Sequence, residues 1–247
     1  MVKEWRSRMK KPVGDATGDV VVAKILASRD DYGDEFKMDF LIFVTSSFLH
    51  GTNSTKFYYK VIKSLANISE VKEYNWCQFV IKALNDGVDH YQDKGTFYGP
   101  MSFLTLCYLD RCRYKESHLR KWSAISCWDE DKMKDKIQRK ESKGGFGRVY
   151  VEDCVKKPDQ EEEQKLQHKK EVIQKRVSPQ QLCELIPKLD DKKKGEIMDM
   201  GFGALLEIKI KTCPKSLCRI LVGRFQFGSG IIQFGNNGQE FIIIEDE

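Results

Sequence analysis

Histidine is scarce in this chain: there are four, His50, His90, His118 and His168. Imidazole is the usual general base near neutral pH, so the scarcity narrows the catalytic options at once. His50 stands beside Gly51 in a turn, His90 among loop residues and His168 in a charged stretch. Each reads as a surface or capping histidine. Long apolar runs are missing too. The longest, Phe40 to Leu49, is interrupted by Thr45, Ser46 and Ser47. It falls well short of the roughly 20 residues a membrane helix needs, so no membrane role is expected. The N-terminus, Met1-Val2-Lys3-Glu4-Trp5-Arg6-Ser7-Arg8-Met9-Lys10-Lys11-Pro12, is basic and has no apolar core. It does not fit a secretory leader and reads as a patch of nuclear-localisation type.

What is present is an apolar fraction of 40%, slightly below the globular norm, and an excess of charge, 32%. The 247 residues are enough to bury a real core in one large or two modest domains. The net charge of +5 is mild. It permits contact with nucleic acid or acidic partners without demanding it. Eight cysteines, Cys77, Cys107, Cys112, Cys127, Cys154, Cys183, Cys213 and Cys218, are an even number. Without a leader they read as reduced thiols of an intracellular protein, mostly small core residues.

The expected fold is mainly α: a helical module, a charged linker and a small α+β tail. Residues 1–18 form a basic disordered lead, 19–151 the helical module, 152–177 the linker and 178–247 the tail. Phe36, Phe40, Phe43 and Val44 fall at helical spacing after a turn at Asp30, Asp31, Gly33 and Asp34. Val61, Ile62 and Leu65 continue the pattern. A helix is expected from about Glu70 to Val88, stopped near Gly87, with Trp76, Phe79, Val80, Ala83, Leu84 and Val88 on one stripe. That stripe is expected to pack on the Phe36, Phe40, Phe43 helix. Pro100 opens another helix, carrying Phe103, Leu104 and Cys107 inward, with Tyr108 a further candidate for that face. A charged helix follows over about Glu130 to Lys140.

Val155 to Val177 is rich in charge, and Glu161 with Lys165 and Glu171 with Lys175 are favourable i,i+4 pairs, worth about 0.3 kcal/mol each in a helix. Beyond it, Ser178-Pro179 signals a helix start, and Asp190 or Asp191 begins a short helix ending at Gly201. Leu206, Ile208 and Ile210 alternate with Glu207, Lys209 and Lys211, the pattern of a half-buried strand. Pro214 to Arg224 is helical. Ile231 to Phe234 and Phe241 to Ile244 flank Gly235-Asn236-Asn237-Gly238, a hairpin signal. The tail is expected to dock loosely on the helical module.

The chemical motifs are incomplete. Lys143-Gly144-Gly145-Phe146-Gly147-Arg148-Val149-Tyr150 is similar to a kinase phosphate loop, but Ser142 replaces the first glycine and no catalytic-loop motif follows. Cys107 with Cys112, and Cys213 with Cys218, have a gap that zinc sites tolerate, but Cys107 falls on the apolar face of a helix, and the other pair flanks Pro214 with no histidine nearby. They read as core or surface thiols. The sequence assigns no catalytic, cofactor-binding or metal-ligating residue, and no cofactor. The candidates for contact are basic residues interleaved with aromatics: Arg6, Arg8, Lys10 and Lys11, then Arg111, Arg113 and Lys115, then Arg120 and Lys121 beside Trp122. Such patches hold phosphates and stack bases.

Several blocks resemble the plant mobile domain, often labelled aminotransferase-like. They are Asp31-Tyr32-Gly33-Asp34-Glu35-Phe36-Lys37-Met38-Asp39-Phe40-Leu41-Ile42-Phe43, Glu73-Tyr74-Asn75-Trp76-Cys77-Gln78-Phe79-Val80, Leu104-Thr105-Leu106-Cys107-Tyr108-Leu109-Asp110-Arg111 and Gly144-Gly145-Phe146-Gly147. These resemble the rear of that domain. Ser178-Pro179, Met200-Gly201-Phe202-Gly203-Ala204-Leu205-Leu206 and Leu217-Cys218 with Leu221-Val222 and Phe225 resemble its front. In that family the front precedes the rear and a middle segment joins them; here the order is reversed. The resemblance implies a transposon-derived plant protein, sometimes joined to a Ulp1-like cysteine protease, in a nuclear setting. The expected function is non-enzymatic, an interaction module for protein or nucleic acid. The alternative is the remnant of a Ulp1-like fusion without its catalytic domain. The label alone does not bring pyridoxal phosphate, because no lysine, phosphate cradle and acid stand together as that chemistry needs.

Overall fold

A computed structural model describes residues 5, 7, 17–28, 33–51, 57–58, 60–64, 67–111, 124–142, 179–226, 231–234 and 239–242. The protein is mainly helical. The helices are α1 (Gly18–Ala27), α2 (Asp34–Val44), α3 (Lys60–Ser64), α4 (Trp76–Lys94) and α5 (Met101–Arg111), then α6 (Ala124–Cys127), α7 (Glu130–Ser142), α8 (Pro179–Leu185), α9 (Asp191–Asp199) and α10 (Lys215–Arg224). The charged linker, 152–177, lies outside the described residues, as do Asp30 and Asp31.

The interrupted apolar run is the centre of the molecule. Every residue from Asp39 to Leu49 is buried. A helix apolar nearly all round has no solvent face to offer, so other elements surround it. Its serines are accommodated locally. Ser46 Oγ donates to the Ile42 carbonyl at 2.7 Å and Ser47 Oγ to the Phe43 carbonyl at 2.8 Å. Back-bonding of this kind loosens a helix, and from Thr45 to Leu49 the backbone widens to a π-helical turn. Asp39 is buried too, and its carboxylate accepts a hydrogen bond from Trp5 Nε1 at 2.8 Å. Trp5 is itself buried and stands edge-on to Phe57 at 6.2 Å. At that residue the expected disordered lead is part of the core. Arg6, Arg8, Lys10 and Lys11 lie outside the described residues.

The expected Glu70 to Val88 helix divides. A 3-10 turn covers Ile68–Glu73, and α4 starts afresh at Trp76, capped by the Asn75 side chain, which accepts from Gln78 N at 2.9 Å. It passes Gly87 and ends at Gly95, whose φ of 70° closes the helix in the left-handed region. Gly87 is an interior residue for a packing reason. A Cβ there would lie 2.9 Å from Gly99 N, so two backbones touch where a side chain would part them. Val80, Ala83, Leu84 and Val88 are buried as the stripe predicts, whereas Trp76 and Phe79 are half-buried. The helix packs on the π-helical turn, and its buried stripe shares one cluster with Phe36, Phe40 and Phe43.

The C-terminal piece begins with Pro179 at the first position of α8. Asp190 caps α9 by accepting from Lys193 N at 2.9 Å, and Gly201, with φ 84°, follows its end. The strand expected over Leu206 to Ile210 is not formed. Gly203–Glu207 is a 3-10 turn, and Lys209 makes an isolated parallel bridge to Asp129. The alternation survives as burial: Ile208 and Ile210 are inside and Lys209 outside. Among the described residues only Asp129 pairs with this stretch, at Lys209, so the pattern does not become a ladder there. Further on, Phe225–Gln226, Ile231–Phe234 and Gln239–Ile242 pair as an antiparallel meander in that order.

This piece is not loosely docked. One hydrophobic cluster runs from Trp5 to Val222 and takes in Leu182, Leu185, Ile197, Leu217 and Leu221. Gln181 Nε2 donates to Asp19 Oδ1 at 3.0 Å, and Lys193 Nζ reaches the Leu26 carbonyl at 3.4 Å. Lys37 pairs with Glu196 at 2.9 Å. The amphipathic faces of the two pieces satisfy one another, which supplies the core that loose docking assumed to be missing.

Candidate interaction surface

The feature that stands out is a row of aromatic rings where α4 begins. Trp76 is fixed by its own indole, whose Nε1 donates to the Val71 carbonyl at 2.8 Å. Its ring meets Tyr74 at 4.9 Å, Phe79 at 5.6 Å and Phe202 at 5.1 Å, each edge-on. Edge-to-face contact of this kind is the favoured geometry for rings of like quadrupole. Phe79 leads on to Tyr58 at 5.9 Å, and Tyr58 stacks on His50 at 3.8 Å with 20° between the planes. His50, Tyr58, Tyr74, Trp76 and Phe79 are all half-buried, and Phe202 is buried behind them. These five residues are therefore partly accessible, while ring contacts and hydrogen bonds fix their orientation.

Each end is anchored by backbone. His50 closes the π-helical turn, its N–H donating to the Thr45 carbonyl at 2.8 Å. Its Nδ1 lies 2.6 Å from the Gly51 carbonyl, so that nitrogen carries the proton and donates. Burial pushes the imidazole pKa below its ordinary value, partly offset by the Gly51 carbonyl and by Asp86. The ring is thereby held neutral. Tyr58 N donates to Ser46 Oγ at 2.8 Å, which ties the row to the central helix. Burial, with Asp86 adding to it, raises the phenol pKa of Tyr58 and of Tyr98. Gly51, with φ 68°, admits no side chain: a Cβ would lie 2.5 Å from the Gly99 carbonyl oxygen.

Of the basic residues singled out from sequence only Arg111 is among the described residues. Arg111 is the last residue of α5. Arg113, Lys115, Arg120 and Lys121 lie outside the described residues, as do Trp122, His118, His168, Cys112, Cys154 and the glycines 144–147. Among the described residues Cys77, Cys107, Cys127, Cys183, Cys213 and Cys218 form no disulfide, and Cys77 and Cys127 are exposed. Cys213 Sγ contacts Ser102 Oγ at 3.4 Å. Burial pushes the Cys183 thiol up to about 11, and it sits 3.4 Å from the Ile210 carbonyl. A nucleophilic thiol needs the opposite shift. Among the described residues no group of three histidine, cysteine or acidic side chains is placed to hold a metal, and no helix is long and apolar enough to cross a membrane.

Sequence reading found Trp76 and Phe79 but assigned both to the core. His50, Tyr58, Tyr74 and Phe202 it did not connect. The signal was present as local aromatic density, Phe57-Tyr58-Tyr59 and Tyr74-Asn75-Trp76; the pairing across Phe202 is a tertiary contact with no local mark.

A family model described as Domain of unknown function (DUF8566) matches residues 3–105 and 175–246. The match takes in both stretches that share the core, and all six rings of the row fall within it. No curated protein and no solved structure matches the chain.

Proposed function

The chain belongs to the family described as Domain of unknown function (DUF8566), and from that premise we propose that it is a non-enzymatic interaction module akin to transposon-derived plant mobile domain proteins. The observation that carries this reading is the row of half-buried rings from His50 to Trp76, held at fixed angles by the Val71 and Gly51 carbonyls. Ring faces already ordered lose little entropy when a partner stacks on them. Single-stranded nucleic acid is the partner such a surface suits best, because every base offers a π-face and the chain carries a net charge of +5. The basic residues at 6–11 and 111–121 would supply the phosphate contacts. The raised pKa of Cys183 argues against that thiol as a nucleophile.

In the same reading, residues 152–177 are a charged tether. It lets the 178–247 piece, helices first and strands after, fold back on the helical module as an α+β tail. The basic lead directs an intracellular chain to the nucleus.

The test is fluorescence anisotropy with a labelled single-stranded oligonucleotide at about 50 and 200 mM salt. Affinity should fall with salt. Trp76→Ala and Phe79→Ala should each weaken binding by roughly 1–3 kcal/mol, the range for one stacked base. No binding at low salt, or binding that ignores both substitutions, would sink the reading.

A further inference from the structure

The His50 end of the aromatic row differs in chemistry from its Trp76 end. Two histidine–tyrosine pairs meet there. His50 stacks on Tyr58 at 3.8 Å, and the His90 ring meets Tyr98 at 4.6 Å. Backbone brings the pairs together: a Cβ on Gly51 would lie 2.8 Å from the Tyr98 carbonyl oxygen. Asp86 stands one turn before His90 on α4 and is exposed. Its charge acts on His50, Tyr58 and Tyr98, so one carboxylate reaches both pairs. Lys60 also acts on His50, and Asp89 on Tyr98.

This end is made to accept hydrogen bonds. His50 gives its Nδ1 proton to the Gly51 carbonyl at 2.6 Å, which leaves a lone pair on Nε2. His90 is engaged locally, its Nε2 lying 3.0 Å from Thr96 Oγ1. An ionised carboxylate only accepts, through both oxygens. Asp86 and His50 thus offer two oxygens and one nitrogen beside Tyr58. Such an edge repels phosphate and suits a group with several adjacent N–H bonds. Unpaired bases are read on their Watson–Crick edges. Guanine carries N–H on N1 and on its 2-amino group, side by side. Adenine and cytosine set their amino group beside a ring nitrogen lone pair, which a carboxylate repels. Thymine and uracil offer a single N–H between two carbonyls.

We propose that Asp86 and His50 read the base stacked on Tyr58, and that the row prefers guanine there. The inference rests on the single-strand reading above and adds the base that the surface selects. Asp86 accepts from N1–H and from one amino N–H, and His50 Nε2 accepts from the other. Repulsion between Asp86 and phosphate turns the strand so that its bases face this end and its backbone does not. Stacking alone tolerates any base. Trp76 and Phe79 therefore carry affinity, while Asp86 and His50 carry the choice of base.

The experiment measures anisotropy at low salt with three labelled strands and the full chain. One is an oligothymidylate, one carries guanine at its central positions, and one carries inosine there, which lacks the 2-amino group. The guanine strand should bind at least about fivefold more tightly than the oligothymidylate, the low end for one bidentate pair. Inosine should lose most of that gain. Asp86→Asn, at an exposed position, should bring the guanine-to-thymine ratio down toward one. His50→Phe, which keeps a ring against Tyr58, should lower it in part. A wild-type ratio near one with both strands bound would overturn the base preference and leave the single-strand reading standing. A ratio that Asp86→Asn leaves intact would overturn the assignment to this end of the row. No binding of any strand would remove the single-strand reading and this inference with it.

Discussion

Helix α2, with its π-helical extension to Leu49, and helix α7 are alike in length and opposite in how they are held. The first is buried from Asp39 onward on every side, polar residues included. The second is a charged rod with Met133 and Ile137 as anchors. In the first, packing decides the conformation, and even a widened turn is tolerated because the surroundings enclose it. In the second, propensity and charge sustain the helix, and packing decides only where it rests.

The largest effect that would test this contrast is Phe40→Ala. Phe40 is fully buried, so the change should cost about 3–5 kcal/mol, read as a lower denaturant midpoint with unchanged slope. A loss below about 1 kcal/mol would mean the central helix is not enclosed as described. Next, Met133→Ala should cost about 2 kcal/mol, at the low end for a buried methionine, because its helix can shift to fill the gap. If it costs as much as Phe40→Ala, α7 is core and the contrast collapses. Phe79→Ala should cost roughly 1–2 kcal/mol, since the ring is half-buried in the aromatic row rather than sealed under α4. Lys132→Ala, on the solvent side of α7, should stay within about 0.5 kcal/mol. Its ion pair with Asp129 at 3.6 Å is exposed.

A pH series sharpens the same comparison at the end of the buried tract. His50 has a pKa lowered in the folded state from its ordinary 6.5, chiefly by burial. The unfolded chain therefore takes up this proton first on acidification. Stability should be level above the unfolded pKa and fall as pH drops from there toward the folded pKa. Chemical denaturation between about pH 8 and 5, with and without His50→Phe, measures the difference. A slope that the substitution leaves untouched would show that other groups carry the acid sensitivity.

What the sequence made legible follows the same division. The 3.6-residue stripes located α2 and α4, because those faces meet a core; α5 was marked by Pro100, but of its expected inward residues Phe103 and Cys107 are only half-buried, while Leu106 and Leu109 are buried. Pro179, Asp190 and Gly201 marked the ends of α8 and α9 by local chemistry alone. Three readings missed for tertiary reasons. Gly87 looked like a helix stop because nothing local shows that Gly99 approaches it. The alternation at Leu206 to Ile210 looked like a strand because burial has period two there, though among the described residues Lys209 makes only an isolated bridge to Asp129. Trp76 and Phe79 looked like core because an apolar ring on a stripe does not reveal that it lies at the stripe's open end. The candidate surface was hardest to see: its rings come from four separate stretches, and Phe202 joins from the far end of the chain.

Trp5 has a practical consequence for anyone preparing this protein. By composition the first sixteen residues look expendable, and an expression plasmid trimmed to start just ahead of Gly18 would be the natural choice. That trimming would delete the indole that hydrogen-bonds the buried Asp39 carboxylate and packs against Phe57. The shortened product would carry a vacancy beside an ionisable group, and it would invite precipitation that has nothing to do with the remaining sequence. An affinity handle is better placed upstream of an intact leader than in exchange for it.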